Sequence, residues 1–416
     1  MISQAAGKPA DRQAVTGNRH QNPATETETD PATETWAQQL LSAYSSVSDL
    51  VHANLVTEED GLRLTALGSR FRVRLPRYYA ALFDGTAECP LRLQSIPGLG
   101  EEDPVLPDWA TEWSREVFGR DVPWLDDAIG DVAKMAAPRL THRYGNRAIL
   151  HVSSACAMYC RFCFRKSHIN ATERTLYEGS LDHALDYLAR TPEITELILT
   201  GGDPLSMPDS WIAKFFDRLE TIESLKHVRI HSKMPCTLPA RLTDELALAI
   251  SNRRFVVSLV AHFNHPRELT SVALERLAQF RRAGIPLYSQ SVLLRGVNDN
   301  VDTLASLFQT LYDNGVTPFY LHHADWTPGT FHFRVSIARG REFMRALSGL
   351  VSGPALPHYV LDLPGGDGKV SLLDTERVKL VKERHEPTIS GAVYEITPPQ
   401  TRAHAEKPIL YADFWQ

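Results

Sequence analysis

From Arg147 to His323 the chain alternates between two patterns, and this alternation narrows the fold more than any other feature. Short runs rich in β-branched residues read as strands at Ala148–Ser153, Glu196–Thr200, His227–His231, Phe255–Ala261, Pro286–Leu293 and Thr317–His323. Between them apolar residues recur at helical spacing over Leu181–Leu188, Ser210–Thr221, Leu242–Ile250, Val272–Arg282 and Val301–Tyr312. Six β-then-α units in a row imply an α/β fold with a parallel sheet and right-handed crossovers. A doubly wound sheet and a full or partial barrel both satisfy the pattern. In either, functional side chains belong at the C-terminal ends of the strands.

The rest of the chain is organised around that core. Residues 1–35 include the acidic, low-complexity run PATETETDPATET and hold few large apolar residues, so they read as a disordered tail. Residues 36–140 read as mainly helical. Glu58–Phe71 places Leu62, Leu64 and Leu67 at helical spacing, and Tyr78–Phe83 continues between Pro76 and Gly85. The barrel core is expected over 141–370 and a short C-terminal extension over 371–416.

Composition excludes several classes. At 43% hydrophobic and 23% charged, the chain is neither collagen-like nor wholly disordered. Its densest apolar run, Phe255–Phe263, is far short of the ~20 residues of a membrane span. The first residues lack the apolar core of a secretory signal. A net charge of −6 gives no support for nucleic-acid binding. Five cysteines are too few for a disulfide scaffold.

Three of those five stand together. Cys156, Cys160 and Cys163 form C-x3-C-x2-C just after the first strand. Thiolates at such spacing bind soft metals and iron–sulfur clusters, and three ligands on a [4Fe–4S] cube leave one iron open. Zinc would want a fourth ligand, and His151 and His168 stand at no usual finger spacing. Gly201-Gly202-Asp203-Pro204 follows the second strand, where glycines let backbone approach a ligand closely. Arg143-Tyr144-x-x-Arg147 offers two guanidiniums and a phenol suited to a phosphate. Asp362-Leu-Pro-Gly-Gly-Asp-Gly-Lys369 is a glycine-rich loop without Walker A spacing; its lysine is either an exposed turn residue or a Schiff-base lysine.

C-x3-C-x2-C with Phe162 before the last cysteine resembles the radical S-adenosylmethionine superfamily. That resemblance implies a partial (β/α)6 barrel, a [4Fe–4S] cluster on the three cysteines, S-adenosyl-L-methionine on the open iron and a 5′-deoxyadenosyl radical after one-electron reduction. R-Y-x-x-R, C-x3-C-x2-C and P-G-G-x-G-K, in that order, resemble the lysine 2,3-aminomutase family over roughly Val51–Ser390. Cys89-Pro-Leu-Arg-Leu-Gln, His262-Phe-Asn-His-Pro and Gln290–Asp299 also read like the family.

The family resemblance implies that Lys369 carries pyridoxal 5′-phosphate and that Arg143, Tyr144 and Arg147 hold its phosphate. Gly201, Gly202 and Asp203 would contact the methionine cofactor, and His262 and Gln290 would approach it. Arg165 would pair with the substrate carboxylate, and Asp325 with Asp362 would hold a distal ammonium. Two carboxylates select a basic amino acid, since a wrong substrate leaves buried charge unpaired. The implied reaction moves the α-amino group of L-lysine to the β-carbon. Arginine is an alternative substrate, and a non-catalytic iron–sulfur protein or a radical enzyme without pyridoxal phosphate are the other readings.

No cysteine follows Cys236, and Asn300 stands where long members carry a cysteine, so no structural zinc is expected. The Phe162 and Phe164 pattern looks closer to shorter relatives that make β-lysine for translation-factor modification. Those relatives tend to differ near the second aspartate, whereas Asp362 is kept here. Lys233 and Met234 replace an expected Arg and Val. The expected partners are an amino acid and a one-electron reductant, with no nucleic acid and no membrane; a homo-oligomer is compatible with all of this. An oxygen-labile cluster and the lack of a signal point to the cytoplasm.

Overall fold

Strands of a barrel alternate between a face packed under the helices and one facing the interior: in His227–Ser232, Val228 and Ile230 are buried while Arg229 and His231 line the interior. The computed structural model describes residues 35–170, 175–402 and 407–416. In chain order the strands are β1 (Met135–Ala137), β2 (Leu140–Tyr144), β3 (Arg147–Ser153), β4 (Glu196–Gly201), β5 (His227–Ser232), β6 (Val256–His262), β7 (Leu287–Val292), β8 (Thr317–His322), β9 (His358–Asp362), β10 (Lys369–Ser371), β11 (Val378–Arg384), β12 (Ser390–Ile396) and β13 (Ile409–Trp415). From β3 to β9 each strand pairs in parallel with the next in sequence. A doubly wound sheet reverses its order at a switch point. This order never reverses, so the sheet is a barrel. β1 and β2 extend one edge and β10 the other, all antiparallel. The outermost strands β1 and β10 are not paired with each other, which leaves the barrel partial.

Six helices follow β3 to β8 in turn: Leu181–Ala189, Asp209–Glu220, Asp244–Ile250, Ser271–Arg282, Val301–Asp313 and Ile337–Leu347. They pack through faces such as Ile212, Phe215, Phe216 and Leu219, or Leu304, Leu307, Phe308 and Leu311. Ser180, Thr243, Thr270, Asn300 and Ser336 cap five of them, each accepting a first-turn N–H. Asn300 accepts from Thr303 at 2.8 Å, so its residue type is accounted for by helix capping.

Three findings depart from the sequence reading. β9 adds a seventh parallel strand where only a short apolar run was legible. β1 falls within the stretch read as helical. The helix Glu58–Arg70 forms, but Leu62 is 81% exposed while Leu64 is 4% exposed, so the buried stripe excludes Leu62.

The C-terminal extension forms a three-stranded antiparallel sheet, β11-β12-β13. Its Phe414 packs on Trp109 and Trp113 of the helix Asp108–Phe118, at 5.9 and 6.5 Å between ring centroids. Tyr411 packs on Phe118 of that helix. The tail reading of 1–35 lies, apart from Thr35, outside the described residues. No helix among the described residues is long and apolar enough to cross a membrane.

Candidate active site

A cavity of about 580 Å³ opens inside the barrel, a size suited to small molecules. Every residue to which the family resemblance gives a cluster, cofactor or substrate role lines it: the three cysteines, Arg143, Tyr144, Arg147, Arg165, Gly201, Gly202, Asp203, His262, Gln290, Asp325, Asp362 and Lys369.

At one end, Cys156, Cys160 and Cys163 come from the loop between β3 and the helix Lys166–Asn170. The loop is tied down on two sides. The Gly202 N–H donates to Ser153 O at 2.5 Å and the Asp203 N–H to Ala155 O at 2.7 Å. A Cβ on Gly201 would stand 2.5 Å from Ser153 O, and one on Gly202 2.4 Å from Ala155 O. The backbone that these glycines approach is therefore that of the cysteine loop, a packing reason the sequence reading did not contain. On the other side Arg161, 1% exposed, forks onto Glu101 at 2.7 and 2.5 Å, and Lys166 reaches the same carboxylate at 2.6 Å. Burial pushes the Cys160 thiol up to about 12 and raises those of Cys156 and Cys163. Among the described residues, no three His, Cys, Asp or Glu are placed to share one metal ion. Ligands of a cube bind separate irons and stand further apart, so three half-buried cysteines lining the cavity suit a cluster.

Asp203 faces this end, but its carboxylate is already engaged. It accepts from Ser232 Oγ at 2.9 Å and from the N–H groups of Lys233, Met234 and Leu205. It fastens the end of β5. His262 bonds Asn264 at 3.1 Å and lies opposite Gln290 across β6 and β7.

The other end is assembled from five strands. Lys369 on β10 and Asp362 on β9 are cross-strand partners, and their side chains form an ion pair. His322 Nδ1, at the end of β8, lies 3.2 Å from the same carboxylate oxygen and 3.4 Å from Lys369 Nζ. Burial alone would raise the Asp362 pKa, but Lys369, His322 and Arg143 hold it well below the carboxylate range. Tyr144 OH accepts from the Lys369 N–H at 2.7 Å. The Arg147 guanidinium lies 3.7 Å over the Tyr144 ring. Gly366, at φ +80°, meets Gly130 so closely that a Cβ on Gly130 would stand 2.3 Å from Gly366 N. Arg143 donates to Ile129 O at 2.6 Å, while its buried Nε has no partner. An orphaned guanidinium N–H, a second guanidinium and a phenol beside Lys369 fit a phosphate-bearing cofactor.

Between the ends lie two groups poised for a substrate. Arg165 is oriented by Asp131, at 2.8 and 2.7 Å, and by Thr200 at 3.1 Å. Among the described residues, no hydrogen bond or ion pair holds the Asp325 carboxylate. Burial, and then the charge of Asp362, raise its pKa far above the carboxylate range.

The radical SAM superfamily model matches residues 150–308. The L-lysine 2,3-aminomutase of Escherichia coli is 35% identical over 344 residues, covering 82% of this chain and 95% of that protein. The L-lysine 2,3-aminomutase of Fusobacterium nucleatum is 32% identical over 346 residues, covering 83% and 77%. The chain belongs to the lysine 2,3-aminomutase family of radical S-adenosylmethionine enzymes. It is therefore an isomerase, and its family implies a [4Fe–4S] cluster and S-adenosyl-L-methionine. Relatives of this aminomutase family differ in substrate. The glutamate 2,3-aminomutase of Clostridioides difficile is 31% identical over 336 residues, covering 80% and 75%. The substrate must therefore be argued from the cavity.

Some site residues of this aminomutase had no sequence signal. Asp131 and Glu101 lie outside any motif, and their arginine partners are 34 and 60 positions away. His322 could have been found, since it precedes Asp325 by three positions at a strand end, where functional side chains gather.

Proposed function

We propose that this enzyme moves the α-amino group of L-lysine to the β-carbon with pyridoxal 5′-phosphate anchored on Lys369. The observation that carries the substrate is Asp325: a carboxylate on the cavity wall with no cation bonded to it. A distal ammonium supplies that cation, whereas the side-chain carboxylate of glutamate would leave Asp325 without one and meet like charge from Asp362.

In this reading Cys156, Cys160 and Cys163 hold the cluster. Gly201 and Gly202 shape the backbone beside the methionine cofactor, with His262 and Gln290 on the opposite wall. Asp203 serves that end by fixing β5. Arg143, Tyr144 and Arg147 hold the phosphate. When bound, these groups supply a hydrogen-abstracting radical and a conjugated electron sink. The protein's own residues do the positioning. Arg165, braced by Asp131, takes the substrate carboxylate as a fork. Asp325 takes the distal ammonium, with Asp362 beside it. Asp362 and His322 hold Lys369 Nζ in place beside the phosphate-binding residues. Phe162 and Phe333 pack beside the cysteine loop and exclude water.

The test is spectroscopic and chemical. Pyridoxal phosphate added to the anaerobic holoenzyme should give an absorption band that borohydride fixes as a modified Lys369 peptide. Lys369→Ala should lose the band and more than about a thousandfold of activity while keeping its iron. A band that survives in Lys369→Ala contradicts the anchor.

A further inference from the structure

Asp325 sits on the turn after β8, and its neighbours in sequence are tied to the last strand of the chain. His323 bonds Asp413 of β13 through Nε2 at 3.1 Å and Tyr359 through Nδ1 at 3.0 Å. The Trp326 indole N–H donates to Ala412 O at 3.0 Å. Arg334, fully buried, donates to Ala324 O at 2.5 Å, to Phe414 O at 3.0 Å, to Tyr411 OH at 3.2 Å and to Asp413 at 2.8 Å. The second oxygen of Asp413 accepts from the Ile337 N–H at 2.8 Å. Asp413 is wholly buried, with its charge compensated by Arg334.

A lone carboxylate discriminates among substrates only if it is held in place, and a displacement of ~1 Å in such a group costs about a hundredfold. Among the described residues the Asp325 carboxylate has no bond to hold it, although its backbone carbonyl accepts from the Thr327 N–H at 3.0 Å. What restrains it is its flanking residues, and each flank is fastened to β13. We propose that β13 is a clamp that aims Asp325 at the substrate's distal ammonium, with Asp413 as its positioning residue. This rests on the reading of Asp325 given above. Asp413 touches no substrate. It acts by fixing His323 and Arg334, which fix the turn. β13 is thereby part of the specificity apparatus, although its residues lie outside the cavity wall.

The experiment uses the full-length, cofactor-loaded enzyme and compares L-lysine with L-norleucine, which has the same six-carbon chain but no distal ammonium. Asp413→Asn should raise the KM for lysine by about tenfold or more, leaving kcat nearly unchanged. The Kd of norleucine, read by spectral titration, should not move. Adding Asp413→Asn to Asp325→Asn should weaken lysine binding no further, because the clamp acts only through Asp325. Trp326→Phe, which removes the bond to Ala412 and part of the ring under Arg334, should shift lysine in the same direction by a smaller factor and covers the case in which Asp413→Asn does not fold. Equal shifts for lysine and norleucine, multiplying effects in the double variant, or an unchanged lysine KM in a folded variant would each overturn the clamp. Wild-type enzyme that binds lysine and norleucine equally would instead remove the Asp325 reading on which the clamp depends.

Discussion

At one end of the cavity three thiols come from a single eight-residue stretch, Cys156–Cys163. At the other, Arg143, His322, Asp362 and Lys369 come from β2, β8, β9 and β10 and meet only because the barrel curls. At the first end the charged groups brace the loop, Glu101 taking Arg161 and Lys166, while burial raises the thiols themselves. The second is dense in paired charge, with an ion pair at its centre. The two ends should therefore fail independently, and Asp325, between them, should affect recognition without affecting either cofactor.

The largest effect tests that independence. Cys160→Ala should lose cluster iron and all turnover, yet keep the pyridoxal absorption band at Lys369. Loss of both together would show one cooperative site rather than two. A smaller effect is expected at Asp325. Asp325→Asn should weaken lysine binding about a hundredfold, since removing one partner of a buried ion pair costs a few kcal/mol. Iron content and the band should stay unchanged, and equal weakening of norleucine would contradict the role. The smallest effect is one of pH. Burial and Asp362 raise the Asp325 pKa, so the free protein holds a proton there that lysine must displace. Lysine affinity should then rise with pH up to about 8 and level off above it. Titration calorimetry in buffers of different ionisation heat should detect the released proton. Asp325→Asn should flatten the profile, and a profile that persists in that variant places the titration elsewhere.

Much of this was legible in the sequence, for physical reasons that differ by region. The six strands read from sequence are short runs with a buried residue at every second position or more, bounded by helical patterns, and their predicted ends agree with the structure within a residue or two. The cysteine loop is local, so its motif carries it whole. β11 was not legible because its residues after Val378 are mostly exposed, including Leu380 and Val381. The Asp362–Lys369 pair was hidden for another reason. A separation of seven residues says nothing until β9 and β10 form a hairpin and set the two residues opposite each other. Sequence spacing likewise suggested that Gly201 and Gly202 make room for a ligand, whereas the atoms they approach belong to Ser153 and Ala155. The tie between Trp326 and Ala412 spans 86 positions, so only the folded barrel reveals that the last strand braces the turn at Asp325.

The most direct test of the account is a competition in one vessel. Anaerobically reconstituted enzyme would receive equal concentrations of L-lysine, L-arginine and L-glutamate, with S-adenosyl-L-methionine, pyridoxal 5′-phosphate and dithionite. The account predicts β-lysine as the dominant β-amino acid, accompanied by no β-glutamate. β-Glutamate as the main product, or no β-amino acid while cluster and pyridoxal phosphate are both bound, would contradict it.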